Sequence, residues 1–560
     1  MGIPFYDAEE HICGLGRRST SPHIRREWFG STATAALARI THPLSAMNGA
    51  ESAALALIAG GIKVCFANPG TSEMHLVAAL DRLPDVRCVS CLFEGVATGA
   101  ADGYARMAGH PASTLLHLGP GLANSLANLH NASRASISLV NIIGDHTTHH
   151  KRHDPPLASD IEAIARPYSK WLRTSNTATD VARDVAEAIV AARTAPGQIA
   201  TLILPADSAW TDGATSVPIP VVPTPPKAPS VRVEGVAAML RAGIPCGIVL
   251  TGNALYGRGL AAAGRIAAAT GAQLLAPFSF TRIERGAGRP AVERIPYPVE
   301  QAVELLSKFR RLILVGASPP VSFFGHPNRK STLTPEDCEI SDLARPGEDY
   351  AGTLEDLATA LSIRETVPLA SDPRRPSLPT GEISPQGLAT VVAALLPENA
   401  IVVDESITSG RSMMALTRDA PPHDWMVNTG GSIGIGMPLA VGAAVACPHR
   451  PVLCLSADGS GMYTLQALWT MARESLRITT VIFANRAYAI LKQEYANVGV
   501  GPPGPRALDM LEIGHPDLDW VSLARGMGVP AVRVTTLEGF ATQLRTGLES
   551  QGPNLVEVVL

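Results

Sequence analysis

Asp458 and Asn485 each stand where an apolar run ends, and that placement makes them the first candidates for chemistry in this 560-residue sequence. The run Val452-Leu453-Cys454-Leu455-Ser456 leads into Ala457-Asp458-Gly459-Ser460, a helix-like segment follows, and the run Thr479-Thr480-Val481-Ile482-Phe483-Ala484 stops at Asn485. This order predicts strand, loop, helix and strand, a crossover that returns both strand ends to one edge of a parallel sheet. The carboxylate and the carboxamide then meet at the carboxyl end of the strands, where open α/β sheets bind ligands. One Asp, one Asn and nearby carbonyls make a hard oxygen set that suits Mg²⁺ still bound to a diphosphate. The plainer reading is an ordinary βαβ unit with an Asp-Gly turn.

Glu94 is the second anchor. It follows Cys88-Val89-Ser90-Cys91-Leu92-Phe93 and opens the small-residue segment EGVATGAADGYARMAG. Alone, it reads equally as a helix-start carboxylate complementing the dipole. A third feature is the glycine-rich stretch Gly430 to Pro438, which includes Gly431 and Ile433. A dinucleotide-binding glycine loop is its rival reading, but no strand leads directly into it. Thr408 and Ser409, in Asp404-Glu405-Ser406-Ile407-Thr408-Ser409-Gly410, follow a predicted strand and offer hydroxyl donors to a diphosphate, as does Ser460. Ser and Thr at a strand end are also ordinary turn formers.

Together these motifs resemble those of thiamine-diphosphate (ThDP) enzymes, closest to acetolactate synthase large-subunit-like proteins and benzoylformate decarboxylase, over residues 47–560. The resemblance implies that Asp458, Asn485 and the Ala487 carbonyl hold Mg²⁺. Ala457 and Ala484 replace a Gly and an Asn of the family pattern, but neither position supplies a ligand. Glu94 is implied to hydrogen-bond the cofactor's aminopyrimidine, and Ile433 to wedge the cofactor into its bent form. Gly431, Thr408, Ser409, Gly459, Ser460, Tyr488 and Ile490 complete the expected cofactor contacts, and Ile490 and Leu491 are expected to wall the pocket. Thr71, in Asn68-Pro69-Gly70-Thr71-Ser72-Glu73, stands where benzoylformate decarboxylase has a substrate-binding serine, and His117 matches that enzyme's first active-site histidine. Its second histidine has no counterpart around Arg282 to Pro296. Pro156-Leu157 and Glu494 stand where acetolactate synthases carry acceptor-selecting residues.

The activity implied is decarboxylation of a 2-oxo acid, with protonation of the product to an aldehyde or its joining to a second carbonyl. Benzoylformate decarboxylase-like simple decarboxylation is the alternative. A non-catalytic ThDP-fold binding protein and a nicotinamide-dependent oxidoreductase on the central domain are readings of other classes. The resemblance also implies a homodimer or homotetramer with active sites at the subunit interface. FAD is not expected, because the central domain lacks clear FAD-contact sequences.

The elements that must position these residues are legible in the alternation of apolar runs and helical segments, which predicts three doubly wound parallel-sheet α/β domains. Two proline-rich breaks, Ser216 to Ser230 and Thr366 to Gly381, divide the chain into domains at 47–215, 231–365 and 382–560, which the resemblance implies are an N-terminal pyrimidine-binding, a central and a diphosphate-binding domain. Residues 1–46 have little apolar periodicity and read as a disordered tail or an extended start. A composition of 46% hydrophobic and 17% charged residues indicates large cores, and a formal net charge of −4 leaves no electrostatic footprint for nucleic acid. No apolar run approaches membrane-spanning length. Eight scattered cysteines suit a reducing cytoplasm, and the lone Cys88/Cys91 pair lacks the second pair that zinc requires. His146, His149, His150 and His153 read as a polar loop, with metal binding as the alternative.

Overall fold

The computed structural model describes residues 47–363 and 372–560; the expectation for residues 1–46 and part of the second proline-rich break lie outside the described residues. The described residues form an α/β protein with three sheets. The first sheet has six parallel strands in the order Arg87–Ser90, Val64–Asn68, Ser113–Leu116, Leu139–Asp145, Ile199–Pro205 and Trp171–Thr174. Leu139–Asp145 and Ile199–Pro205 are buried at every position, as strands covered by helices on both faces must be. The central sheet runs Glu293–Arg294, Gln273–Ala276, Cys246–Leu250, Arg311–Val315 and Glu339–Ala344, all parallel.

The third sheet orders Ala531–Val534, Asn554–Val559, Ile478–Ala484, Val452–Ala457, Ile401–Glu405 and His423–Val427 in parallel. A seventh strand, Ile283–Arg285, pairs antiparallel with His423–Val427, so this sheet is mixed. That strand comes from the central segment and reaches the edge without a crossover, so no parallel connection constrains its direction.

Two helices lock the first sheet to the third. Glu94–Ala108 is buried along nearly its whole length, and Gly109, in the left-handed conformation, ends it. It crosses Gly436–Ala446 at backbone contact distance: a Cβ on Gly103 would collide with the Leu439 carbonyl oxygen, and one on Gly442 with the Ala100 carbonyl oxygen. Small residues are therefore required at the crossing, because the main chains occupy the space that side chains would take. The Asp102–Arg106 ion pair inside this interface has no exposed side-chain surface. Arg106 also donates to the carbonyls of Thr281 (2.9 Å) and Val427 (2.8 Å), so one guanidinium joins all three segments. Such a pair holds only because its remaining donors are satisfied. Among the described residues no helix is long and apolar enough to cross a membrane.

Candidate active site

The register of the third sheet brings Asp458 and Asn485 to one edge. Ser456 pairs with Ile482 and Ala457 with Phe483, so the next residues of both chains leave the sheet side by side. Asp458 is 2% exposed; its Oδ2 accepts from the Arg486 N–H (2.7 Å) and its Oδ1 from the Gly459 N–H (2.8 Å). Burial pushes its carboxyl above the ordinary range, opposed by these backbone bonds. Asn485 Oδ1 accepts from the Ala487 N–H at 3.1 Å, and Arg486 between them is left-handed (φ 57°). Among the described residues no three His, Cys, Asp or Glu side chains gather into a metal cluster. One carboxylate, one carboxamide and a main-chain carbonyl are all oxygen donors of one net negative charge. That set fits a hard cation only when a ligand such as a diphosphate supplies further oxygens.

Beside this edge lies the glycine-rich loop. Gly431 is exposed, Ile433 half-buried, and Gly434 has φ +95° with the Tyr463 side chain packed where a Cβ would stand. Only glycine holds that conformation without strain. The loop is tied at both ends. Asn428 Oδ1 accepts from the N–H groups of Gly430 (3.1 Å) and Gly431 (2.8 Å), and Glu405 takes those of Gly434, Ile435 and Gly436. Ser409 and Ser460 are buried, while Thr408, Tyr488 and Ile490 are half-buried. The Tyr488 ring packs over Gly459.

A second group sits at the carboxyl ends of the first sheet. Glu94, 7% exposed, starts its helix, and its Oε2 accepts from Asn124 Nδ2 at 3.0 Å. Its other oxygen faces Gly121, where a Cβ would lie 3.1 Å from Oε1 and 3.5 Å from the His117 Cβ, so Glu94 and His117 flank the same bare glycine. His117 Nδ1 lies 2.8 Å from Glu73 Oε2, which also accepts from the Gly70 N–H at 2.6 Å. Glu73 is 2% exposed, and burial raises its carboxyl against the pull of Gly70 and His117. Thr71 is exposed on the same loop.

Sequence reasoning passed over Glu73, although it closes the quoted Asn68–Glu73 motif. It also passed over Asn124, Asn131 and Glu405, whose partners are remote in sequence. From the central segment the structure brings not a residue of 282–296 but His326, whose Nε2 lies 3.4 Å from Glu494 Oε2. Tyr297 donates to Glu494 Oε1 at 3.0 Å. His146, His150 and His153 meet edge-on or tilted around the short helix Thr148–Lys151, their ring centroids 5.9 and 6.0 Å apart, with His149 near Asp207.

Comparison with known proteins identifies the family. The "Thiamine pyrophosphate enzyme, N-terminal TPP binding domain" profile matches residues 47–164, and its C-terminal TPP binding domain counterpart matches residues 408–558. The Mycobacterium tuberculosis protein named "Putative acetolactate synthase large subunit IlvX" is 54% identical over 515 residues, spanning 92% of this chain and 99% of the relative. The chain belongs to the thiamine diphosphate enzyme family. Among other members of that family, the benzoylformate decarboxylase of Pseudomonas aeruginosa is 28% identical over 89% of this chain and 96% of its own length. The solved structure of the thiamine diphosphate-dependent 4-hydroxybenzoylformate decarboxylase of Rhodococcus jostii RHA1 superposes with a TM-score of 0.80 at 24% identity, over 91% of this chain and 98% of that one. The two matched ThDP-binding domains carry the two groups described above, Glu94 with His117 in one and Asp458 with Asn485 in the other.

Proposed function

We propose that the protein decarboxylates a 2-oxo acid with ThDP held through Mg²⁺ by Asp458, Asn485 and the Ala487 carbonyl. When bound, ThDP supplies an electron sink for the bond broken as CO₂ leaves. The observation that carries the reading is the pair of groups flanking Gly121. A buried carboxylate, Glu94, stands beside a histidine that is itself held by a second buried carboxylate, Glu73. In this arrangement Glu94, its orientation fixed by Asn124, would share a proton with the aminopyrimidine of bound cofactor. Glu73 holds His117 Nδ1, so Nε2 is the nitrogen left to exchange a proton with substrate or product. Thr408, Ser409 and Ser460 would donate to the diphosphate, and Ile433 with Ile490 would supply apolar walls that exclude water.

The names of the relatives agree with 2-oxo acid chemistry but divide over the second step. Protonation to an aldehyde is favoured here by one observation. His326 offers a second imidazole near the helix Ala489–Asn497, its Nε2 3.4 Å from Glu494 Oε2, and Glu494 Oε1 is engaged by Tyr297 and Asn497. Carboligation to a second carbonyl is the other outcome. We place two copies or four in the active assembly, with Glu94 of one subunit serving cofactor held by the next.

The test is cofactor analysis of the purified protein, followed by CO₂ release from a panel of aliphatic and aromatic 2-oxo acids with product identification. ThDP binding with CO₂ release and an aldehyde product is the expected result. ThDP binding without turnover of any 2-oxo acid would return the protein to a binding role.

A further inference from the structure

Glu405 ends the strand Ile401–Glu405 and is 2% exposed, a buried carboxylate whose partners are not cations. Its Oε1 accepts from the N–H groups of Gly434 (3.0 Å) and Ile435 (3.2 Å) and from Asn428 Nδ2 (3.4 Å). Its Oε2 accepts from the Gly436 N–H at 2.9 Å. Gly436 is the first residue of the 11-residue helix Gly436–Ala446, so the carboxylate lies at the helix's positive end, which with these bonds opposes the burial that pushes its carboxyl up to about 7. Successive free N–H groups of a glycine loop at a helix start are the usual receptor for a phosphate. In this chain the protein's own carboxylate fills that receptor.

We propose that Glu405 is a built-in anion that positions the cofactor loop. By occupying the receptor at Gly434–Gly436 it denies that helix start to the diphosphate, which is left to the turn at Asp458–Ser460. By the same bonds it fixes the residue next to them, Ile433. The inference rests on the ThDP reading above and adds a positioning residue to it. Both oxygens of Glu405 accept main-chain hydrogen bonds, so an amide cannot replace it. Glutamine would turn an NH₂ toward at least one N–H donor, and the displaced donor would be left buried and unpaired. The opposite end of the loop does not compensate, because Asn428 binds Gly430, Gly431 and Ser432, not Gly434 to Gly436.

The experiment is hydrogen exchange by mass spectrometry on the full-length apo protein, read in peptides covering 430–438, with ThDP affinity measured by calorimetry in the presence of Mg²⁺. In the wild type the amides of Gly434 to Gly436 should exchange slowly without cofactor. Glu405→Gln should speed their exchange about 10-fold and weaken ThDP about 10-fold, the consequence of losing roughly one buried hydrogen bond. Val403→Ala, a cavity on the same strand, should lower the melting temperature and leave ThDP affinity within about 2-fold, which separates positioning from general destabilisation. Unchanged exchange and affinity in Glu405→Gln would overturn the proposal. So would wild-type amides that become slow only after ThDP binds, a measurement that decides the matter even if the variant does not fold. Absence of CO₂ release would count against the proposed activity and leave the apo exchange result standing.

Discussion

Asn131 and Ser432 exchange two hydrogen bonds: Asn131 Nδ2 donates to the Ser432 carbonyl at 2.8 Å, and the Ser432 N–H donates to Asn131 Oδ1 at 3.2 Å. Asn131 lies near the end of the helix Leu118–Arg134, whose first turns carry Gly121 and Asn124 against Glu94. One helix of the N-terminal ThDP-binding domain thus touches both Glu94, the proposed catalytic carboxylate, and the glycine loop of the C-terminal ThDP-binding domain. His130 adds a third link, its Nε2 lying 3.0 Å from the Gly430 carbonyl.

Asn131→Ala should therefore loosen the loop without disturbing Glu94 directly. Asn131 is fully buried, and truncation strands the Ser432 N–H. A loss of about 1–3 kcal/mol is expected. Denaturant unfolding and ThDP titration would check it, and a stability loss below about 0.5 kcal/mol would show that the exchange of bonds is incidental.

Asp458→Ala should abolish Mg²⁺-dependent ThDP binding. The variant removes the only carboxylate of the proposed oxygen set, and a diphosphate facing the remaining neutral donors has no ionic bridge. Calorimetry with ThDP and Mg²⁺ reads this directly. Wild-type affinity in the variant would remove Asp458 from the metal site.

Glu94→Gln should fold and still bind ThDP, since the amide is nearly isosteric and Asn124 can turn its own amide to meet it. Proton exchange at the cofactor's C2 should slow by about 10²–10⁴-fold, the scale of a positioned acid–base group. NMR after acid quench measures that rate. Near wild-type exchange in a cofactor-loaded variant would assign activation to another group and return Glu94 to a helix-start role.

His423 gives a pH prediction. It is buried in the strand His423–Val427, and burial next to Arg285 lowers its pKa to about 3 from 6.5. A depressed folded pKa means that the unfolded chain takes up the proton first. The stability that neutral His423 contributes is present above pH ~6.5 and is lost as pH falls toward 3. Between pH 7.5 and 5.5 the loss is about 1.4 kcal/mol. His423→Gln should show a smaller drop in melting temperature over that interval than the wild type, whatever its absolute stability. An equal drop in both would mean that His423 is not the group that titrates.

The parts of the site legible in the sequence were those where chemistry and element boundary coincide. Asp458 and Asn485 each follow an apolar strand, so period and position pointed to the same residues. Glu94 was legible because it separates an apolar strand from a small-residue helix. Glu405 was not, although it lies inside a quoted segment. Its meaning depends on three main-chain donors some 30 positions away in the chain, and main-chain donors leave no mark in a sequence. His326 and Glu494 meet only through folding of the central segment onto the helix Ala489–Asn497. The antiparallel strand Ile283–Arg285 has three residues, too few to show a period of two.

The crossing at Gly103 and Gly442 has a mechanical consequence. Main chains in contact leave no side chains to slide or repack, so the helix that begins at Glu94 and the helix that follows the glycine loop move as one rigid body. With Glu94 serving cofactor held by the next subunit, as proposed above, this body ties two sites together, and a hinge within it is not available to widen either of them. A looser element follows the strand that ends at Asn485: the helix Ala489–Asn497 buries none of its residues and is tethered chiefly by polar side chains. The chain has a stiff floor and a loosely fastened rim, and the residues that time substrate passage are to be sought at the rim.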